Sequence, residues 1–192
     1  ASCSPPTTPK SARSCIKKRK PRCKTGLSVL LRVKKMKVIF LDIDGVVCLH
    51  KDKKNWDNDE EVFDEDCCKR LKEIMQATGS KLVLSSSWRL FPESIEYVFD
   101  QFEPYGITPK DFIGITPLLG ERGAEILQYL ESRRDIDSFI ALDDEMYDCE
   151  SFPYYRLILT ETHSGITEVI RDLCIERLQG DQGKYESSVF RY

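Results

Sequence analysis

Lys37-Val38-Ile39-Phe40-Leu41-Asp42-Ile43-Asp44-Gly45 is the stretch that decides the fold. Four consecutive apolar residues between a lysine and an aspartate read as a short buried strand. If the backbone stays near-extended past Leu41, the period of two points Asp42 and Asp44 to the same side, and Gly45 permits the sharp turn that exposes them. A second apolar run, Phe139-Ile140-Ala141-Leu142, ends in Asp143-Asp144. Carboxylates gathered at strand ends repel one another unless a cation or a shared proton relieves the charge. The arrangement suits a magnesium site serving phosphate chemistry.

Composition sets the bounds. The 192 residues, 41% hydrophobic and 32% charged, fit one soluble globular domain with a real core. No apolar stretch is long enough to span a bilayer; the segment from Thr25 to Val33 is too short and too interrupted. The eight cysteines show no paired spacing and no Cys-x-x-Cys, which argues against a structural zinc site and for reduced thiols in an intracellular protein.

The net charge of −3 conceals an asymmetry. Residues 1–37 hold twelve Lys or Arg and no acid, leaving 17 basic against 32 acidic residues in the remainder. Residues 1–35, with Pro5-Pro6, Pro9 and the run Lys17-Lys18-Arg19-Lys20-Pro21-Arg22, cannot build a core and are expected to form a basic disordered extension. Its readings are a nuclear address, a nucleic-acid-attracting arm, a mitochondrial transit peptide, or no specific role at all. Met36, directly before the first strand, would make a natural start. The expected compartment is cytoplasmic or nuclear, with mitochondria as the alternative.

From Met36 the chain alternates. A strand at 37–41 leads through a polar, acidic loop to a helix over 64–75, stopped by Gly79. A strand at 81–84 precedes a helix over 92–102, and an irregular stretch containing Phe112-Ile113-Gly114-Ile115 runs to Gly120. A helix over 122–131 is followed by strands at 138–142 and 156–160, and Thr167 caps a last helix through Leu178. This order predicts an α/β Rossmann-like fold, a parallel sheet with helices on both faces, over residues 36–179, with a flexible tail at 180–192. Ligands in such folds collect at the carboxyl ends of the strands, where Asp42 and Asp44, Ser85-Ser86-Ser87, and Asp143-Asp144 converge.

Each residue type has a chemical role there. A carboxylate such as Asp42 can attack phosphorus and form an aspartyl-phosphate. Asp44 can protonate the leaving oxygen and later deprotonate water. Magnesium would take oxygen ligands from Asp42, the carbonyl of Asp44, and Asp143 or Asp144. A serine hydroxyl, Ser85 first and Ser86 close behind, and the cation Arg122 would hold the phosphate oxygens.

With these residues in place the chain resembles the haloacid dehalogenase (HAD) superfamily. Asp42-Ile43-Asp44-Gly45-Val46 matches its first motif, Leu82-Val83-Leu84-Ser85 its second, Arg122 its third and Leu142-Asp143-Asp144 its fourth. Leu84-Ser85-Ser86-Ser87-Trp88-Arg89, Arg122-Gly123-Ala124-Glu125-Ile126 and Leu159-Thr160 with Gly165-Ile166-Thr167 are similar to the HAD domains of Swiss Army Knife RNA-repair proteins. The likeness spans about residues 36–178. It implies a magnesium-dependent phosphatase with Asp42 as nucleophile and Asp44 as acid/base, with phosphorylated nucleic-acid ends among the substrates. Neither 46–80 nor 90–121 has room for a full cap domain, and an open site suits a macromolecular phosphate. The alternatives are a protein phosphatase of the same chemistry and an inactive HAD fold that binds or scaffolds. The acidic body weighs against a polyanion unless the charge is local to one face.

Other residues have weaker readings. Trp88 is expected to pack rather than to stack on a base. Arg89 reads either as a clamp on a second phosphate or as the partner of a surface acid. His50 and His163 are the only histidines, Cys48 and Cys149 lie near the site without a required role, and Asp57 to Glu61 is expected to form a solvated face.

Overall fold

Both faces of the first strand are apolar, so it belongs in the centre of a covered sheet. The computed structural model describes Ser2 and residues 35–49 and 62–180. Its strands are β1 (Met36–Leu41), β2 (Lys81–Leu84), β3 (Phe112–Ile115), β4 (Ile136–Asp143) and β5 (Leu157–Leu159). All pair in parallel in the order β3-β2-β1-β4-β5. The helices are α1 (Glu65–Thr78), α2 (Pro92–Phe102), α3 (Arg122–Ser132) and α4 (Glu168–Gln179). The described elements all fall in the unit Val33–Tyr192.

Alternation along β1 separates two cores. Ile39 and Leu41, with Leu82, Leu84, Ile140 and Leu142, face α1, α2 and α4 through Leu71, Ile74, Phe102 and Leu178. Val38 and Phe40, with Val83, Phe139 and Ala141, face Ile126 of α3 on the other side. Burial on both sides explains why these strands read as unbroken apolar runs. The chain builds β1, β2 and β3 outward in one direction, then crosses back to lay β4 and β5 on the other side. The switch point therefore lies between β1 and β4, where Asp42 and Asp143 stand at adjoining strand ends.

Local signals set the helix limits. The Asp64 carboxylate accepts from the backbone N–H of Asp66 and of Cys67, both at 3.1 Å, and starts α1. Gly79 ends it in the left-handed conformation, φ 69°. Thr167 caps α4 as read from the sequence.

Two expectations need revision. Phe112–Ile115, expected to be irregular, is the edge strand β3, bonded to β2. Helices α1 and α3 also run further than expected, to Thr78 and Ser132. Between Leu90 and Glu121 the chain forms only α2, two short 3-10 turns and β3. Apart from Ser2 and Lys35 the basic extension, and with it the segment 25–33, lies outside the described residues, as do His50, the run 57–61 and the tail from 181. Among the described residues no helix is long and apolar enough to cross a membrane.

Candidate active site

The site begins where β1 stops. The Asp42 N–H donates to Leu142 O at 3.0 Å, locking the end of β1 to β4. The chain then turns tightly, with Ile43 O accepting from the N–H groups of Val46, Val47 and Cys48. Gly45 allows this turn for two reasons: its φ is 66°, and a Cβ there would lie 2.1 Å from Asp144 Oδ2. Gly45→Ala is therefore expected to lose about 1–3 kcal/mol of stability, read as a lowered urea midpoint at unchanged slope.

Three carboxylates meet beside that turn. Oxygens of Asp42, Asp143 and Asp144 all lie within 4.8 Å of one another. One guanidinium serves two of them, Arg122 Nη1 standing 3.2 Å from Asp42 Oδ1 and 2.9 Å from Asp143 Oδ2. Burial pushes the Asp42 carboxyl above its ordinary range, against the opposing pull of the Arg122 charge and the Ser86 hydroxyl. Burial also raises Asp143, and the neighbouring Asp42 charge adds to it. The pocket thus gathers more negative charge than Arg122 offsets. Its all-oxygen, carboxylate-rich donor set fits a hard divalent cation such as magnesium.

The acids are held individually. Asp143 Oδ2 accepts from Arg122 and, at 3.0 Å, from the Tyr147 hydroxyl, while Oδ1 accepts from Glu145 N–H at 3.0 Å. Asp144 Oδ2 accepts from the Thr162 hydroxyl at 2.8 Å. The Asp44 side chain is not part of the three-carboxylate cluster; its Oδ2 accepts from Trp88 Nε1 at 2.8 Å.

Both serines stand at the end of β2. The Ser85 N–H donates to Leu41 O at 2.8 Å, placing Ser85 beside Asp42. Its Oγ is buried and has no hydrogen-bond partner among the described residues. The Ser86 hydroxyl draws the Asp42 carboxyl down, and its Oγ accepts from Trp88 N–H at the start of the short 3-10 turn Ser87–Leu90. An unpartnered hydroxyl in a buried site invites an acceptor.

Sequence reasoning missed or misassigned three residues. Arg89 is neither a phosphate clamp nor the partner of a surface acid. It is buried and pairs with buried Glu125 at 2.6 Å, while its guanidinium donates to the carbonyls of Ser85, Ser86, Thr116 and Pro117. Trp88 packs against the core as expected, yet it also touches Asp44. Tyr147, with no motif to mark it, supports Asp143. Cys48 is buried and His163 exposed. Cys48, Cys67, Cys68, Cys149 and Cys174 form no disulfide among the described residues.

A Rossmann-like parallel sheet with aspartates at its switch point, two of them bridged by a half-buried arginine, is the arrangement of a HAD-type domain. A family model described as the HAD domain in Swiss Army Knife RNA repair proteins matches residues 38–169, and the chain belongs to that family. The match runs from β1 into α4 and includes every residue of the site described above. The family falls in the hydrolase and phosphatase superfamily. Comparison with curated proteins and with solved structures returns no match.

Proposed function

We propose that the chain is a magnesium-dependent phosphatase that hydrolyses a phosphomonoester through an aspartyl-phosphate on Asp42. The observation that carries this reading is the division of labour among the carboxylates. Asp42 sits in the cation-seeking cluster under Arg122, whereas Asp44 stands apart from it.

In the first step an Asp42 oxygen bonds to phosphorus as the ester P–O bond breaks, and Asp44 gives its proton to the departing oxygen. In the second, Asp44 takes a proton from water as that water attacks phosphorus and the Asp42–phosphorus bond breaks. Arg122 holds Asp42 in line, and Ser85 and Ser86 offer hydroxyls to the phosphoryl oxygens. Asp42, the Asp44 carbonyl and Asp143 or Asp144 would hold the magnesium ion, which supplies positive charge against the transferring phosphoryl group.

The substrate we infer is a phosphorylated nucleic-acid end. Two observations support it: the RNA-repair setting of the family, and the absence of any cap-sized insertion among the described residues between Leu90 and Glu121. The catalytic unit in this reading is residues 36–179.

The test is phosphate release by the full chain, with magnesium and with chelator, on 5′- and 3′-phosphorylated oligonucleotides, phosphopeptides and an aryl phosphate. Magnesium-dependent turnover highest on an oligonucleotide end is the expected result. Preference for phosphopeptides would replace the substrate. Absence of turnover with every compound would overturn the enzymatic reading in favour of a binding or scaffolding domain.

A further inference from the structure

We infer that Trp88 is a positioning residue for the proton transfers of Asp44. The inference rests on Asp44 acting as the acid/base in the proposed reaction. The indole Nε1 lies 2.8 Å from Asp44 Oδ2, across 44 positions of sequence. An indole N–H donates and never accepts, so the oxygen it touches is favoured as the unprotonated one. The exchangeable proton is thereby assigned to Oδ1, which receives no hydrogen bond from the described residues. Without that contact, both carboxylate oxygens and a rotating side chain would share the proton.

The ring is built to stay where it is. Its face is tilted against Tyr97, with centroids 6.0 Å apart, and Phe63 meets it edge-on at 5.9 Å. Phe63 in turn packs on buried Phe102 at 4.9 Å. Below, the Trp88 N–H is tied to Ser86 Oγ, and the next residue, Arg89, is anchored in the interior. Aromatic neighbours on face and edge leave the indole a rigid arm rather than a platform for a base. Rigid placement of an acid/base group is what makes proton transfer efficient.

The atoms balance as follows. Oδ1–H of Asp44 passes its proton to the ester oxygen as the P–O bond breaks, and Oδ1 recovers a proton from the attacking water in the second step. Oδ2 keeps its bond to Trp88 throughout. A substrate whose leaving oxygen is already a stable anion needs little protonation, whereas an alkoxide needs it fully.

This gives a readout that general damage to the fold would not move. kcat/KM of Trp88→Phe is compared with that of the unsubstituted full chain on glycerol phosphate and on 4-nitrophenyl phosphate. The expected loss is about tenfold greater on the alkyl ester than on the aryl ester. In an Asp44→Asn background the same substitution is expected to add no selective loss. Site-specific replacement of Trp88 by benzothienylalanine, which puts sulfur in place of the N–H and keeps the bicyclic shape, is expected to show the same selectivity and serves as the readout if the phenylalanine variant folds poorly. Equal losses on the two esters in both variants would overturn the role of Trp88 and leave the phosphatase reading standing. No turnover by the unsubstituted protein on either ester or on phosphorylated oligonucleotide ends would overturn both.

Discussion

Asp42→Asn is expected to reduce phosphate release by at least about 10³-fold, because the amide offers no nucleophilic oxygen anion to phosphorus. The same substitution is expected to leave the fold intact. Asp42 is a buried carboxylate that shares one guanidinium with Asp143, and Asp144 completes the cluster. Removing its charge relieves repulsion in a place where burial already holds the carboxyls above their ordinary range. The metal-free protein is expected to lose stability as pH rises. A carboxyl raised on folding binds a proton in the native state that the unfolded chain has lost, so stability falls as pH climbs above the ordinary value of 3.8. Magnesium is expected to reverse that fall, and saturation at about 100 times its dissociation constant corresponds to about 2.7 kcal/mol. Asp42→Asn is expected to flatten both effects, as followed by urea unfolding across pH with magnesium or chelator.

Arg89→Met is expected to have the largest effect on stability, a loss of about 3–5 kcal/mol measured from the urea midpoint. Arg89 and Glu125 are both nearly inaccessible, their side chains 5% and 3% exposed. Truncating the arginine leaves a buried carboxylate without its cation. It also removes the donor from carbonyls of the Ser85–Ser86 and Thr116–Pro117 segments. Glu125 meanwhile accepts from the N–H groups of Leu119 and Gly120. The pair thus ties the ends of β2 and β3 to the first turn of α3, which carries Arg122. Loss of stability without loss of the catalytic carboxylates would separate this clamp from the chemistry it supports.

The sheet was legible because its strands are covered on both faces and so carry uninterrupted apolar runs, as in Val38 to Leu41 and Phe139 to Leu142. Strand β2 and helix α2 fall where the pattern places them. Strand β3 escaped for a physical reason: it is four residues long, contains Gly114 and lies at the sheet edge, half exposed, so neither length nor burial marks it. The aspartates were legible because strand ends converge in a parallel sheet whatever the loops between them do. Their partners were not. Trp88 reaches Asp44 and Arg89 reaches Glu125 across dozens of residues, and sequence spacing carries no record of such contacts. Arg89 looked like an anion binder because arginine usually is one. Only the packing of β2, β3 and α3 shows that its anion is internal. Tyr147 lies four residues past Asp143, and nothing in that short irregular segment signals that its hydroxyl returns to the carboxylate.

In the proposed reaction phosphorus becomes covalently attached to Asp42. Asp44→Asn slows the second step, in which water must lose a proton, so the attached form should accumulate in that variant. The most direct measurement is acid quench of Asp44→Asn with magnesium and an aryl phosphate, followed by peptide mass mapping. A phosphoryl group on the peptide at Asp42, absent from the double variant Asp42→Asn/Asp44→Asn, is the expected result. Phosphorylation at another residue, or no phosphorylated peptide at all while the unsubstituted protein turns over the same ester, would rule out Asp42 as the nucleophile.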